Sequence, residues 1–164
     1  MTEQLELEPL TVNAFAPFGV VLDKDLVEKR MINEGTTERF HALATADTEA
    51  GGGHTILSLF RGQPRSFPYR LSMMERHPLG SQAFFPVTNR AWIAVVAEDD
   101  DGRPGAPRAF RVPGDIGLQY ARGVWHHPLI AVGEPSLFLV MDREGEGDNL
   151  EEIGYPAPYI IAES

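Results

Sequence analysis

Thirteen prolines and sixteen glycines interrupt this 164-residue chain at short intervals, and that punctuation is its strongest structural constraint. A proline lacks the amide donor that a helix interior needs, and a glycine gives up more conformational freedom than any other residue on being ordered. Little room is left for long helices. Thr11 followed by Val12-Asn13-Ala14-Phe15 has the form of an N-cap and one helical turn, stopped near Pro17 and Gly19. Beyond it the apolar pattern is strand-like, with strands expected at 18–22, 37–43, 54–61, 67–77, 82–87, 91–97, 107–112, 116–120, 127–132 and 135–143. Glu98-Asp99-Asp100-Asp101-Gly102 reads as an acidic hairpin turn, and Ala50-Gly51-Gly52-Gly53 as a flexible connection. The tail from Asp148 onward is apolar enough to pack against the rest. Many short strands with regular turns predict a sandwich or barrel, and a small barrel has room inside for one ligand. With no repeat or linker, residues 1–164 read as a single domain.

Charge and composition exclude several functions. A net charge of −10 argues against a nucleic-acid partner, which needs clustered lysine and arginine. The absence of cysteine removes disulfides, zinc–thiolate sites and thiol nucleophiles. No apolar run approaches the roughly 20 residues that span a bilayer. The acidic N-terminus lacks the order of a secretory signal, so no membrane partner and a cytoplasmic location are expected.

Two segments carry candidate chemistry. In Met73 to Pro86, Glu75 and His77 share one strand face while Arg76 points the other way, and Gln82 opens the next strand. A carboxylate, an imidazole and a returning amide suit a divalent metal, and equally an ion pair at a barrel mouth. In Tyr120 to Leu129, the adjacent His126 and His127 face opposite sides, so one at most looks inward.

Together the segments resemble the cupin barrels, whose first motif has the form H-x-H-x4-E and whose second has the form P-x-G-x-x-H. Glu75-x-His77-x4-Gln82 keeps the first spacing, and Ala121-x-Gly123-x-x-His126 keeps the second, with substitutions in both. Those departures resemble one cupin family, ureidoglycolate lyase. The signature is Glu75-Arg76-His77-Pro78-Leu79-Gly80-x-Gln82-Ala83-Phe84 with Val124-Trp125-His126-His127-Pro128-Leu129. The likeness continues through Ile32-Asn33-x-Gly35, Glu38-Arg39-Phe40-His41-x-Leu43-Ala44, Ser58 to Pro64, and Asp142-Arg143.

The resemblance implies an all-β, cupin-like double-stranded β-helix or jelly-roll barrel with a short N-terminal helix. It implies cleavage of (S)-ureidoglycolate to glyoxylate and urea in allantoin breakdown, a carbon–nitrogen lyase reaction of the amidine-lyase class. Glu75, His77 and His126 would be catalytic. Glu75, His77, Gln82 and His126 would surround a divalent metal, nickel or manganese; a metal-free site with Glu75 as base and His126 or His77 as acid is the alternative. No organic cofactor is implied. The substrate carboxylate calls for an arginine among Arg39, Arg61, Arg122 and Arg143, and Asn33 and Ser58 could bind the urea end. Tyr120 and Trp125 would shape the cavity, Asp142 could orient the site, and His41 and His54 read as surface or structural residues. A homodimer is expected by analogy with barrels of this type. Another cupin isomerase or dioxygenase, or a ligand-binding cupin, is the competing reading.

Overall fold

The computed structural model describes residues 2–162. Its strands are β1 (Glu3–Leu5), β2 (Leu7–Pro9), β3 (Gly19–Leu22), β4 (Lys29–Ile32), β5 (Thr37–Phe40), β6 (His54–Gly62), β7 (Tyr69–Arg76), β8 (Gln82–Pro86), β9 (Trp92–Asp100), β10 (Arg103–Val112), β11 (Gly117–Tyr120), β12 (Trp125–His126), β13 (Ile130–Ala131), β14 (Ser136–Glu144) and β15 (Glu151–Ile161). A single α-helical turn, α1 (Val12–Phe15), is capped as expected: the Thr11 hydroxyl accepts the Ala14 N–H at 3.1 Å.

The larger sheet runs β1-β15-β7-β12-β9-β10-β2, with β13 added on β9; the smaller runs β3-β11-β8-β14-β6. β1 and β2 are separated by one residue yet occupy the two edges of the larger sheet. That placement draws the sheet into a nearly closed barrel and leaves few open edges. The nearly all-β, barrel-like architecture agrees with the cupin-type expectation.

β9 is buried on both faces from Trp92 to Ala97, which is why it reads as a continuous apolar run. Its Trp92, Ala94 and Val96 face one core with Phe84, Phe110, Leu118 and Phe138. Its Ile93, Val95 and Ala97 face a second core with Leu71, Met74, Trp125 and Ile161. The first core joins the two sheets, and the functional residues described below open from it.

The structure departs from the expected strands in instructive ways. Of the expected strand 127–132 only β13, Ile130–Ala131, forms, and β12 ends just before it at His126; Pro128, between them, has no amide to give the ladder. The expected strand 37–43 stops at Phe40, and Ala42 takes a positive φ of 53°. Glu98 to Asp100 continue β9, and the reversal falls on Asp101-Gly102, both at positive φ. The Ala50–Gly52 segment is a 3-10 turn held by Arg143 rather than a loose connection. β1, β2, β4, β12 and β15 lie outside the expected strands. Pro156 and Pro158 disguise β15, and they lie where it leaves register with β7, between Gly154 and Tyr159. β4 and β5 form a separate two-stranded hairpin whose residues are almost all exposed. No helix among the described residues is long and apolar enough to cross a membrane.

Candidate active site

β7 and β12 are adjacent and antiparallel, and their register sets His126 directly across from Glu75. Cross-strand partners share a sheet face, so the two side chains meet without any long-range adjustment. His77 lies just past the end of β7, two residues from Glu75, and points the same way. Trp125 points to the opposite side, into the second core. His126 Nε2 lies 3.5 Å from Glu75 Oε1, and His77 Nε2 lies 4.0 Å from the same oxygen. The two imidazole centroids are 5.1 Å apart. Tyr120, at the end of β11, stacks flat on His126 at 4.4 Å. Beside these residues opens a cavity of about 360 Å³ lined by Phe60, Arg61, Gly62, Arg65, Glu75, Gln82, Phe84, Pro128 and Leu129.

Hydrogen bonds fix the protons. His126 Nδ1 lies 2.9 Å from the Val124 carbonyl, which can only accept, so Nδ1 carries the hydrogen. Its Nε2 is left with a lone pair, buried and without a hydrogen-bond partner among the described residues, facing a carboxylate. A buried acceptor facing another acceptor is costly unless a proton or a cation stands between them. His77 Nδ1 likewise donates to the Asn149 carbonyl at 2.8 Å, while its Nε2 faces Gln82 Oε1 at 3.1 Å. His77 Nε2 is thereby held between Gln82 and Glu75. Gln82 passes the polarity on, its amide N–H donating to Asp142 Oδ2 at 3.1 Å.

Burial alone would raise the Glu75 carboxyl, but the facing His126 imidazole, with His77 beside it, outweighs burial and holds it below the ordinary carboxylate range. Glu75 is therefore held as an anion beside its two imidazoles. Glu75, His77 and His126 place one ligand atom each within 4.8 Å of one another. A small divalent ion bound at about 2.1 Å separates its ligands by roughly 3 to 3.5 Å, so the three could hold one after a modest inward shift. The orphaned His126 lone pair and the anionic Glu75 fit that role. His77 offers its Nε2 as the third ligand atom.

The remaining expected residues fall in different places. Gln82 joins the group through His77. Ser58 shares the inward face of β6 with Phe60, which lines the cavity. Arg61 borders the cavity from β6. Asn33 and Arg39 are on the exposed hairpin, where Asn33 bonds to Thr37, and the structure does not bring them to the cavity. Arg143 is buried but committed elsewhere: its guanidinium donates to the Ala50 carbonyl at 3.0 and 2.8 Å and to the Glu146 carbonyl at 2.7 Å. Arg122 is paired with Asp47. Trp125 donates through Nε1 to Asp99 and carries the Arg76 guanidinium on its ring. The polar group therefore converges from three segments, while the arginines scatter.

Three participants were not singled out from sequence. Asn149, in the tail, receives His77 Nδ1 on its carbonyl and the Leu79 N–H on its side chain; no spacing rule links it to position 77. Arg65 borders the cavity from the loop after β6. Tyr69 bonds to His127, on the opposite side of β12 from His126.

With the geometry in hand, comparison with known proteins is decisive. The sequence profile described as Ureidoglycolate lyase matches residues 2–162. The chain belongs to the ureidoglycolate lyase family. It is 56% identical over 163 residues to a ureidoglycolate lyase of Rhizobium etli, covering 99% of this chain and 98% of that protein. It is 57% identical to one of Rhizobium leguminosarum bv. trifolii over the same coverage. A Burkholderia mallei ureidoglycolate lyase is 53% identical over 152 residues, 93% of this chain and 89% of that protein. A solved 3,4-ketoisomerase from Helicobacter canadensis aligns at a TM-score of 0.43 and 16% identity over 78% of this chain and 84% of that chain; so distant a likeness adds nothing. Family membership makes the chain a lyase and does not favour the isomerase, dioxygenase or binding-protein readings.

Proposed function

We propose that residues 1–164 act as one catalytic unit that cleaves (S)-ureidoglycolate to glyoxylate and urea, a carbon–nitrogen lyase of the amidine-lyase class serving allantoin and purine breakdown in the cytoplasm. The observation that carries this reading is the meeting of Glu75, His77 and His126 in one cluster, with Glu75 lining the adjoining cavity, in a chain of this family.

The substrate carbon bears a hydroxyl, a carboxylate and a ureido nitrogen. Cleavage consumes no water. The hydroxyl loses its proton, its C–O bond becomes the aldehyde of glyoxylate, and the C–N electron pair leaves with nitrogen, which gains a proton. One proton therefore moves from oxygen to nitrogen, and the site is built to carry it. Glu75, kept ionised by its neighbours, takes the hydroxyl proton. The proton then passes from Glu75 to the departing nitrogen by way of an imidazole, the His126 Nε2 lone pair at 3.5 Å from the receiving oxygen or His77 Nε2 at 4.0 Å. Gln82 and the Asn149 carbonyl hold the His77 ring, and Tyr120 holds that of His126. When bound by Glu75, His77 and His126, with Gln82 adjacent, a divalent ion such as nickel or manganese would lower the hydroxyl pKa and stabilise the alkoxide. Phe60, Phe84 and Leu129 limit water on the apolar wall.

Leu59 and Leu139 are paired neighbours exposed on the outer face of the smaller sheet, with Leu57 beside them. An apolar face of this kind suits a second copy of the chain, so the enzyme is a homodimer in this reading. Sedimentation of wild type and Leu59→Glu tests it: a dimer that becomes a monomer supports the assignment, and a monomeric wild type removes it. The activity is tested by incubating purified protein with racemic ureidoglycolate and following urea and glyoxylate together. Equal release of both, ceasing at half the substrate, is expected. Ammonia release or oxygen uptake would point to another reaction.

A further inference from the structure

We propose that Arg65 is the binding site for the substrate's carboxylate, and that Tyr69 and His127 position it; the identity of the substrate rests on the lyase reading above, but the carboxylate site does not. A hydroxy acid entering this cavity meets an anion, Glu75, at one wall. Its own carboxylate is repelled there and must be received elsewhere. Arg61 and Arg65 are the cations lining the cavity, and neither has a carboxylate within salt-bridge distance among the described residues. Of the guanidiniums elsewhere, Arg76 is spent on Asp99 and Glu151, Arg108 on Glu8, and Arg122 on Asp47.

Strand geometry separates the two candidates. Arg61 alternates with Ser58 and Phe60 and shares its side of β6 with Leu57 and Leu59, the outer side. Arg65 lies past the end of β6, where Pro64 bridges Ala131 and the Arg65 N–H donates to the Ala131 carbonyl at 3.0 Å. Its guanidinium carbon stands 5.6 Å from the Tyr69 ring centroid, within cation–π range. Tyr69 is fixed in turn. His127 Nδ1 donates to the Pro128 carbonyl at 2.7 Å, which leaves Nε2 to accept the Tyr69 hydroxyl at 3.1 Å. The backbone at one end and an anchored aromatic platform at the other restrict a long side chain that would otherwise be free. A pre-oriented guanidinium fork is what bidentate carboxylate recognition requires. This arrangement also gives the second histidine of the pair a task distinct from that of the first.

The test uses the full chain. Wild type, Arg65→Gln, Arg65→Lys, Arg61→Gln, Tyr69→Leu and the Arg65→Gln/Tyr69→Leu double variant are assayed for ureidoglycolate turnover and, by calorimetry, for glycolate binding. Loss of a charge-assisted bidentate contact should raise KM and the glycolate Kd together by about 100-fold in Arg65→Gln, with kcat within about fivefold of wild type. Arg65→Lys should recover no more than about tenfold of that loss, because the fork is gone. Tyr69→Leu should raise KM about tenfold, and the double variant should be no worse than Arg65→Gln alone, a non-additivity that a merely structural tyrosine would not produce. Unchanged glycolate affinity in Arg65→Gln, or the full loss in Arg61→Gln instead, overturns the assignment; additive effects overturn the role of Tyr69. A wild type that binds glycolate through Arg65 but releases no urea would defeat the lyase reading and leave this site standing. One that does neither defeats both.

Discussion

His126 and His127 are consecutive residues, and both are buried, yet their surroundings differ in kind. On one side of β12, His126 presents a bare Nε2 to the Glu75 carboxylate, with His77 close by. On the other, His127 has both nitrogens satisfied, by the Pro128 carbonyl and the Tyr69 hydroxyl. Burial is common to both, so burial does not identify the reactive histidine. What identifies it is an unmet lone pair beside a fixed charge. A satisfied buried histidine contributes to stability and placement; an unsatisfied one is held at a cost that the fold offsets elsewhere, and its use is chemical.

The sharpest way to break this contrast is to remove the charge. Glu75→Gln keeps the size of the side chain and should lower kcat by about 10³-fold, the usual scale for a general acid–base group, with a melting temperature near that of wild type. Near-normal turnover would place the base elsewhere. A divalent ion gives the next effect. At 100 times its Kd, nickel or manganese should stabilise the wild type by about 2.7 kcal/mol through linkage, read as a raised melting temperature that is lost in His126→Ala. Equal stabilisation of both proteins would detach the metal from this cluster. The satisfied side should respond in stability: His127→Ala, which strands the Tyr69 hydroxyl and opens a buried gap, should cost about 2–3 kcal/mol.

A smaller, graded effect comes from pH. Burial, aided by the Arg65 charge, pushes the His127 pKa down to about 4, against an ordinary 6.5. Between those values the unfolded chain binds the proton that the folded chain refuses. Stability is therefore full above about pH 6.5 and declines as pH falls toward 4, by up to about 3 kcal/mol. Replacing His127 with Gln should flatten the unfolding profile in that window. An unchanged slope would show that the decline belongs to other groups.

How far such contrasts could be read beforehand depends on their range in the chain. Glu75 and His77 sharing a face follows from strand alternation over two residues, and the opposition of His126 to His127 from the same rule. Their meeting across β7 and β12 rested on resemblance, since no local rule sets a register between positions 75 and 126. β9 and β14 were legible because their apolar runs are long. β15 was hidden by Pro156 and Pro158, which mark a departure from register rather than the end of a strand. The arginines were the least legible. Arg143 and Arg65 differ only in what the folded chain sets around them, carbonyls from Ala50 and Glu146 in one case and an open cavity in the other.

The central claim is that one histidine of the adjacent pair works and the other supports. Turnover numbers for His126→Ala and His127→Ala, measured at saturating ureidoglycolate on proteins verified as folded, test it most directly. The account predicts a loss of about 10³-fold or more in the first and a kcat within about tenfold of wild type in the second. The reverse order, or equal losses, would contradict it.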